Sequence, residues 1–210
     1  MARGEMFILA APSGTGKDTL IRKVMSSLDG LEHSVSHTTR RARHGEIDGQ
    51  DYHFVSREAF EAMIAQDAFL EWAEYNDSLY GTSIREVGPR LDQGIDVLLD
   101  IEIVGTTNLL ERCPESHAIL LLPPSYAALK QRLTDRGLDD ALAVHERLAL
   151  SLWEIERYGL FHYAIINDEL DRASQVLAAI ILEKRHRMAR QEQAVQAVLE
   201  DFSRPSTQTD

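Results

Sequence analysis

The sequence predicts an α/β fold in which helices flank a parallel central sheet. An apolar run over residues 7–11 is followed by a Pro/Ser/Gly turn and then by apolar residues at helical spacing. Two further apolar runs are IDVLLDI from residue 95 and HAILLL from residue 117. They lack the alternation of apolar and polar residues that is typical of a strand with one solvent-exposed face. Because strands buried on both faces are typical of parallel sheets covered by helices, these three runs favour the α/β class.

Composition limits the size and the partners of the protein. At 210 residues and 44% hydrophobic content, the chain can bury one compact core with smaller additions. Its formal net charge of -12 argues against nucleic acid or anionic membranes as partners, since both require a basic face. Cys113 is the only cysteine, which excludes a disulfide or a thiolate metal cluster within the chain. The first residues show no signal-peptide pattern and no membrane-length apolar run, so a cytoplasmic location is predicted.

The loop after the first strand has the residues of a phosphate-binding turn. Gly14 and Gly16 permit backbone conformations that bring amide N–H groups around phosphate oxygens, and the start of the next helix adds partial positive charge. Lys17 supplies an ammonium group for the terminal phosphates. The match to G-x-x-x-x-G-K-[ST] is imperfect, because Ala11 replaces the first Gly and Asp18 replaces the magnesium-binding Ser or Thr.

The other elements follow from local signals along the chain. Strands are predicted at 34–37, 52–55, around 69–75, at 95–102 and at 162–166. Helices are predicted at 16–28, 57–65, 83–91, from residue 125, after residue 137 and over 170–198. Ser56 is expected to cap the helix at 57–65, and Tyr80-Gly81-Thr82 is expected to form the turn before the helix at 83–91. The basic residues of 184–190 are expected to form a solvated helix face, and Phe202 onward a disordered tail.

Three groups of polar residues are candidates for a site. Arg40, Arg41 and Arg43 lie within four positions and follow hydroxyl-bearing residues, which suits a phosphate group, although a solvated loop explains the same stretch. Glu71 stands among aromatic residues, where it either faces water or accepts two hydrogen bonds from a nucleobase edge. Carboxylates also end the strand at 95–102, where ligands of open α/β sheets bind.

Arginines also recur in the predicted helices after residue 125. Arg132 and Arg136 lie four residues apart on one face of the first helix, and Arg147 follows in the second. Charged positions on amphipathic helices explain any one of them without a functional role.

Three motifs in this order and spacing resemble guanylate kinase, the family that phosphorylates GMP. They are APSGTGKDT from residue 11, the arginine cluster continued by GEIDGQDYHFVS from residue 45, and FLEWAEYNDSLYGTS from residue 69. The resemblance extends over roughly residues 5–185. It implies a P-loop kinase that transfers the γ-phosphoryl group of ATP to GMP or dGMP. It further implies a core (1–34, 86–124 and 160–202), a small GMP-binding lobe (35–85) and a helical lid (125–159), with a tail at 203–210.

The resemblance also implies roles for individual residues. The GMP phosphate would be held by Ser36, Arg40, Arg43, Tyr52 and Tyr80, and the guanine would be read by Glu71 and Thr82. A carboxylate that accepts both N1–H and N2–H₂ favours guanine over adenine. Asp100 is expected near the metal and Glu102 near the guanine. ATP is expected on Pro12, Ser13, Gly14, Thr15, Gly16, Lys17, Asp18, Thr19 and Asn167, with Arg132, Arg136 and Arg147 as lid arginines over the migrating phosphoryl group.

Departures from the family pattern leave alternatives open. Candidates for contact with Mg²⁺ are Asp18 through a water molecule, Thr19 and Asp100. Val104 stands where a glutamine is usual, and Glu102 is one methylene longer than the usual Asp. Ribose bisphosphate phosphokinases, which have Asp after the lysine, are the second enzyme class to consider. A third possibility is a guanylate-kinase-like module that binds proteins without catalysis.

Overall fold

The computed structural model describes residues 2–135 and 141–203 and contains two sheets. The strands are β1 (Met6–Ala10), β2 (Leu31–His33), β3 (His37–Thr38), β4 (His53–Phe54), β5 (Phe69–Tyr75), β6 (Ser78–Ser83), β7 (Asp96–Asp100), β8 (His117–Leu122) and β9 (Tyr163–Ile166). The helices are α1 (Lys17–Met25), α2 (Arg57–Ala65), α3 (Ile84–Asp92), α4 (Ile103–Arg112), α5 (Tyr126–Asp135), α6 (Ala141–Ile155), α7 (Leu170–Arg185) and α8 (Met188–Ser203). A short 3₁₀ turn spans Tyr158–Leu160.

The central sheet has five parallel strands in the order β2-β7-β1-β8-β9, which confirms the predicted α/β class. Strand β1 lies in the middle and is buried along its whole length. Phe7 and Leu9 pack on the α1 and α7 side, whereas Ile8 packs on the α3 and α4 side. Because both faces are covered by helices, the strand carries apolar residues at every position. In the part of the chain that the structure describes, no helix is long and apolar enough to cross a membrane.

A smaller four-stranded sheet, in the order β4-β3-β6-β5, lies within the segment expected to bind GMP. The predicted turn at Tyr80-Gly81-Thr82 is wrong, because these residues belong to β6 and pair antiparallel with β5. The chain reverses instead at Asn76 and Asp77, whose φ angles are 49° and 58°. Asn and Asp tolerate this left-handed conformation and are common in two-residue hairpin loops.

Side-chain caps define the starts of two helices beside this lobe. The Ser56 hydroxyl accepts the Ala59 N–H at the start of α2, as predicted, and the Ser83 hydroxyl accepts the Glu86 N–H at the start of α3. The strand predicted at 34–37 is wrong, because β2 ends at His33 and β3 begins at His37, so that residues 34–36 connect the two sheets. The chain therefore crosses here from the core to the smaller lobe.

The carboxyl-terminal segment differs from the single solvated helix predicted. The helix is interrupted at residues 186–187, and Arg185 and Arg190 both turn inward to the buried Asp96 carboxylate, at 2.7 Å and 2.6 Å. The Glu5 N–H donates to the same carboxylate. The basic stretch at 184–190 is thus mainly a structural anchor to the central sheet, because a buried carboxylate requires charged partners.

We expect Asp96→Ala to lower the free energy of unfolding by about 3 kcal/mol, since it leaves two partly buried guanidinium groups without their acceptor. Urea denaturation followed by circular dichroism measures this change. Asp92→Ala is the matched control, because Asp92 pairs with Arg3 on the exposed surface and such pairs contribute less than about 1 kcal/mol. Equal losses for the two variants would contradict a structural role of the Asp96 anchor.

Candidate active site

The loop between β1 and α1 has the backbone geometry of a phosphate cradle. Gly14 and Gly16 have φ angles of 87° and 94°, which disfavour any residue with a side chain. A Cβ atom at Gly14 would meet the Leu133 side chain of α5 at 2.8 Å, and one at Gly16 would meet the Asn167 amide at 2.9 Å. The loop therefore turns tightly beneath α5. It leads directly into the amino terminus of α1, whose free N–H groups favour an anion.

Two distant side chains hold this loop through the carbonyl oxygen of Thr15. The Asn167 amide donates to it at 2.7 Å and the Arg132 guanidinium at 3.1 Å, and Arg132 also donates to the Asn167 carbonyl at 2.9 Å. Thr15 itself is buried, and its hydroxyl donates to the Pro12 carbonyl. Asn167 and Arg132 thus fix the shape of the loop, and sequence spacing did not indicate these contacts.

Lys17 lies at the mouth of the loop and forms an ion pair with Asp100 at the end of β7. Burial alone would lower the pKa of Lys17, but the Asp100 and Glu102 carboxylates outweigh it and raise the pKa above its usual value. Lys17 is therefore a permanent cation at physiological pH. The pair also brings together the first loop and the strand end that sequence analysis assigned to the metal.

Arg40 forms the centre of a second polar cluster in the smaller lobe. Its guanidinium binds the Glu46 carboxylate through two hydrogen bonds of 2.8 Å and 2.9 Å and lies 5.3 Å from the Tyr52 ring centroid. The Tyr52 and Tyr80 rings meet edge to face at 5.9 Å. Sequence analysis gave no role to Glu46, which also accepts the Arg43 N–H at 2.6 Å.

Three of the predicted phosphate-binding residues, Arg40, Tyr52 and Tyr80, are therefore brought together. Burial, followed by the nearby Asp100 charge, raises the pKa of Tyr52 to about 12, so its hydroxyl remains a donor. Ser36 is buried at the junction of the two sheets. The Arg43 residue is exposed on its loop and only its backbone takes part in the cluster.

Glu71 and Thr82 form a buried pair across β5 and β6. Glu71 is 6% exposed, and its Oε1 atom accepts the Thr82 N–H at 3.0 Å and the Thr82 hydroxyl at 2.7 Å. Burial raises the pKa of Glu71 to about 7, although these two hydrogen bonds oppose the rise. A Cβ atom at Gly105 of α4 would lie 2.7 Å from Oε2, so the glycine leaves room for the carboxylate. Among the described residues, no donor reaches Oε2.

A further acid, Glu154 on α6, was missed by sequence analysis. It is 4% exposed, and burial followed by the nearby Glu102 charge raises its pKa to about 8. Glu102 precedes the first turn of α4, and burial also raises its pKa. Because Glu154 follows Arg147 by seven residues on one helix face, the i, i+7 spacing is the signal that could have identified it. Helix α6 thus carries a cation and an acid on one face.

The remaining predicted residues lie in the following positions. Asp18 and Thr19 are exposed in the first turn of α1, Pro12 is buried and Ser13 is partly buried. Arg147 is half-buried and lies near Tyr75, whose pKa is raised by burial and by the Glu102 and Glu154 charges while Arg147 opposes the rise. Arg136 lies outside the described residues.

The acids near Lys17 suit a hard cation that shares its ligands with a nucleotide. Within residues 2–135 and 141–203, no cluster of three or more His, Cys, Asp or Glu side chains forms a complete metal site. Mg²⁺ commonly takes one or two protein carboxylates and fills its other positions with water and phosphate oxygens. The partly exposed Asp100 carboxylate and the exposed Asp18 fit that use.

Comparison with known proteins identifies the family. The family model for guanylate kinase matches residues 3–184, which is most of the chain. The chain belongs to the guanylate kinase family. It is 42% identical to guanylate kinase of Shewanella frigidimarina over 201 residues, covering 95% of this chain and 97% of the relative. It is 43% identical to that of Neisseria meningitidis serogroup A over 189 residues, covering 90% and 92%.

A solved structure agrees with this assignment. The crystal structure of guanylate kinase from Anaplasma phagocytophilum superimposes with a TM-score of 0.75 at 27% identity and covers 90% of each chain. The expected guanylate kinase resemblance and its P-loop kinase fold are therefore confirmed. Val104 is exposed on α4, whereas a side chain at the next residue, Gly105, would collide with the Glu71 carboxylate.

Proposed function

We propose that this protein is a guanylate kinase that transfers the γ-phosphoryl group of ATP to GMP or dGMP, giving ADP and GDP or dGDP. The observation that carries the proposal is the buried Glu71–Thr82 pair of the smaller lobe, which accompanies a glycine-rich loop bearing Lys17 in the same chain. Burying a carboxylate costs free energy unless hydrogen-bond donors satisfy it. Guanine offers two adjacent donors, N1–H and N2–H₂, that one carboxylate can accept. A cytoplasmic location remains part of the proposal.

On the GMP side of the site, separate groups of residues would bind the guanine base and the phosphate. Glu71 would accept the guanine N–H groups, chiefly through Oε2, since Oε1 already accepts two bonds from Thr82. Glu102 would lie at the same base. Arg40, with the Tyr52 and Tyr80 hydroxyls, would bind the phosphate, and Ser36 and Arg43 would complete the set. For Arg40 this requires the GMP phosphate to compete with Glu46, which holds the guanidinium in the proper orientation beforehand.

The ATP side would use the loop from Pro12 to Thr19. Backbone N–H groups would surround the phosphates, and the Lys17 ammonium would leave Asp100 for the β- and γ-phosphate oxygens. Asp100 would then be free to hold Mg²⁺, with Asp18 through water or Thr19 as further contacts. When bound, Mg²⁺ would neutralise charge on the phosphate oxygens. Asn167 and Arg132 would keep the loop in its binding shape.

The chemistry requires alignment and positive charge more than covalent help. A GMP phosphate oxygen attacks the γ-phosphorus directly, so no protein nucleophile is needed, and water must be excluded as a competing acceptor. Lys17, Arg40, Arg43, Arg132, Arg136 and Arg147 are the proposed cations around the migrating group. Closure of the α5–α6 segment over the loop would bring Arg147 to it.

The assay that tests this function couples ADP release to a spectrophotometric readout, with each candidate acceptor supplied separately. GMP and dGMP should support turnover, whereas AMP should not. Turnover only with ribose bisphosphate would overturn the proposal in favour of the phosphokinase class. No turnover with any acceptor would instead support a non-catalytic binding module.

We expect the KM for GMP to depend on pH through Glu71. The carboxyl must be ionised to accept two N–H bonds, and its pKa is about 7. KM for GMP should therefore rise roughly ten-fold as pH falls from about 8 to about 6, while KM for ATP changes little. The GMP phosphate also titrates near the lower end of this range, so Glu71→Gln serves as the control that retains only that effect. An identical pH profile in the variant would contradict the assignment.

A further inference from the structure

Strand β4, which directly follows Tyr52, is too short to hold its position through backbone bonds alone. It spans two residues and lies at the edge of the smaller sheet. Its pairing with β3 includes a bond of 2.9 Å from the His53 N–H to the Ser36 carbonyl. Because so short an edge strand has little local stability, its side chains must contribute to its position.

The two faces of β4 have different surroundings. Tyr52 and Phe54 flank His53 and lie on one face, because side chains alternate along an extended chain. The Arg40 guanidinium lies near both rings, at 5.3 Å and 5.8 Å from their centroids. His53 therefore points to the opposite face, away from the cluster to which the GMP phosphate is assigned.

On that opposite face His53 packs against two side chains. Its ring centroid lies 4.6 Å from that of His37, its register partner on β3, and its Nε2 atom lies 3.4 Å from Oε1 of Glu86 on α3. The His37 ring in turn meets the Phe69 ring of β5 edge to face at 5.8 Å. Burial, followed by the His53 charge, lowers the pKa of His37, so that this ring is neutral at physiological pH.

Glu86 is itself held by side chains that connect it to the central sheet. Its Oε2 atom accepts a hydrogen bond of 2.9 Å from Arg90, one turn later on α3. Arg90 also pairs with Glu32 of β2 at 2.8 Å. Partly exposed pairs of this kind contribute little free energy, but together they fix the Glu86 carboxylate relative to the core. The back of β4 therefore packs on an acid whose position depends on the central sheet.

We propose that His53 is a positioning residue for the GMP phosphate: it anchors β4 from the face opposite Tyr52 and thereby sets the place of the Tyr52 hydroxyl. This inference rests on the proposed function, in which Tyr52 binds that phosphate. Because His53 points away from the phosphate cluster, it acts through Tyr52 and not by contact with GMP. Loss of its ring should weaken binding of the phosphate and leave binding of the guanine unchanged.

Calorimetric binding of GMP and of guanosine to the full-length protein, without ATP, tests this role. For His53→Ala we expect Kd for GMP to rise about 20-fold, since a hydrogen bond to a charged phosphate is misplaced. Kd for guanosine, which has no phosphate, should stay within about two-fold of wild type. His53→Phe keeps a ring against His37 and should recover most of the affinity. His44→Ala, on the exposed loop before β4, is the control and should bind GMP like wild type.

A double-mutant cycle with Tyr52→Phe, measured as kcat/KM for GMP, shows whether His53 acts through the hydroxyl group. Once that hydroxyl is absent, His53→Ala should lower kcat/KM by less than about three-fold, because the two substitutions remove the same interaction. In the Glu71→Gln background His53→Ala should keep its full effect, because the base and the phosphate are bound by separate residues.

Equal GMP affinities of wild type and His53→Ala would overturn this inference. A parallel loss of GMP and guanosine binding, or a full effect of His53→Ala in the Tyr52→Phe background, would overturn it as well. If circular dichroism shows that His53→Ala is unfolded, His53→Leu fills the same space without an aromatic ring and carries the same expectations. A wild-type protein that binds no GMP would instead refute the proposed function, and this inference with it.

Discussion

Replacing Lys17 by alanine should lower kcat for GMP phosphorylation by about a thousand-fold or more. Preorganised positive charge on the transferring phosphoryl group contributes several kcal/mol to the transition state, and Lys17 is held at the mouth of the loop by Asp100. The Asp100 and Glu102 carboxylates raise the pKa of Lys17 despite its burial, so the ammonium stays charged. Initial rates at saturating ATP and GMP measure the loss.

Lys23→Ala is the matched control for this prediction. Lys23 also lies on α1, but its exposed ammonium pairs with Asp171 on α7. Its removal should leave kcat within about two-fold of wild type, because an exposed ion pair contributes little. Comparable losses for Lys17→Ala and Lys23→Ala, with both proteins folded by circular dichroism, would refute the proposed loop chemistry.

Replacing Glu71 by glutamine should lower kcat/KM for GMP by about 100-fold while leaving KM for ATP near its wild-type value. The amide presents one acceptor and one donor to guanine, so one guanine N–H loses its partner within a buried site. The same amide donor can reach the N1 acceptor of adenine. The ratio of kcat/KM for GMP to kcat/KM for AMP should therefore fall as well.

Glu74→Gln tests whether the effect belongs to the site or to the strand. Glu74 lies on the same strand, is exposed and pairs with Arg57 at 3.1 Å. Its substitution should change neither kcat/KM nor nucleotide choice. If Glu71→Gln weakened ATP and GMP equally, Glu71 would be a structural residue and the guanine assignment would be wrong.

Several features of the fold could be predicted because they depend on local sequence. The apolar runs of β1, β7 and β8 are long enough to identify a buried parallel sheet, and the Ser56 cap is a neighbour effect. The turn of the β5–β6 hairpin was predicted at Gly81 because glycine is common in turns, whereas the chain reverses at Asn76 and Asp77. Gly81 serves packing instead, since a Cβ there would meet the Phe60 and Phe69 rings at 3.0 Å.

Long-range contacts explain most of what the sequence did not indicate. The amide of Asn167 supports a carbonyl 152 residues earlier, and the carboxylate of Asp96 turns two arginines inward from a stretch predicted to be solvated. Neither contact leaves a periodic or compositional signal near the residues involved. Arg40 and Glu46 are close in sequence, but only the folded loop sets their bidentate geometry.

Asp18, the residue that favours the ribose bisphosphate phosphokinase alternative, has a simple structural explanation. It is exposed in the first turn of α1, where a carboxylate interacts favourably with the helix dipole. The resemblance to ribose bisphosphate phosphokinases rests on the loop alone. It does not account for the Glu71–Thr82 pair and the Arg40 cluster of the smaller lobe. They support GMP as the acceptor, in agreement with the family to which the chain belongs.

A crystal structure with GMP, a non-hydrolysable ATP analogue and Mg²⁺ tests the central claim most directly. We predict guanine N1–H and N2–H₂ within hydrogen-bonding distance of the Glu71 carboxylate, the GMP phosphate at Arg40, and the ATP phosphates at Lys17. A base turned away from Glu71, or a GMP phosphate remote from Arg40, would contradict the account.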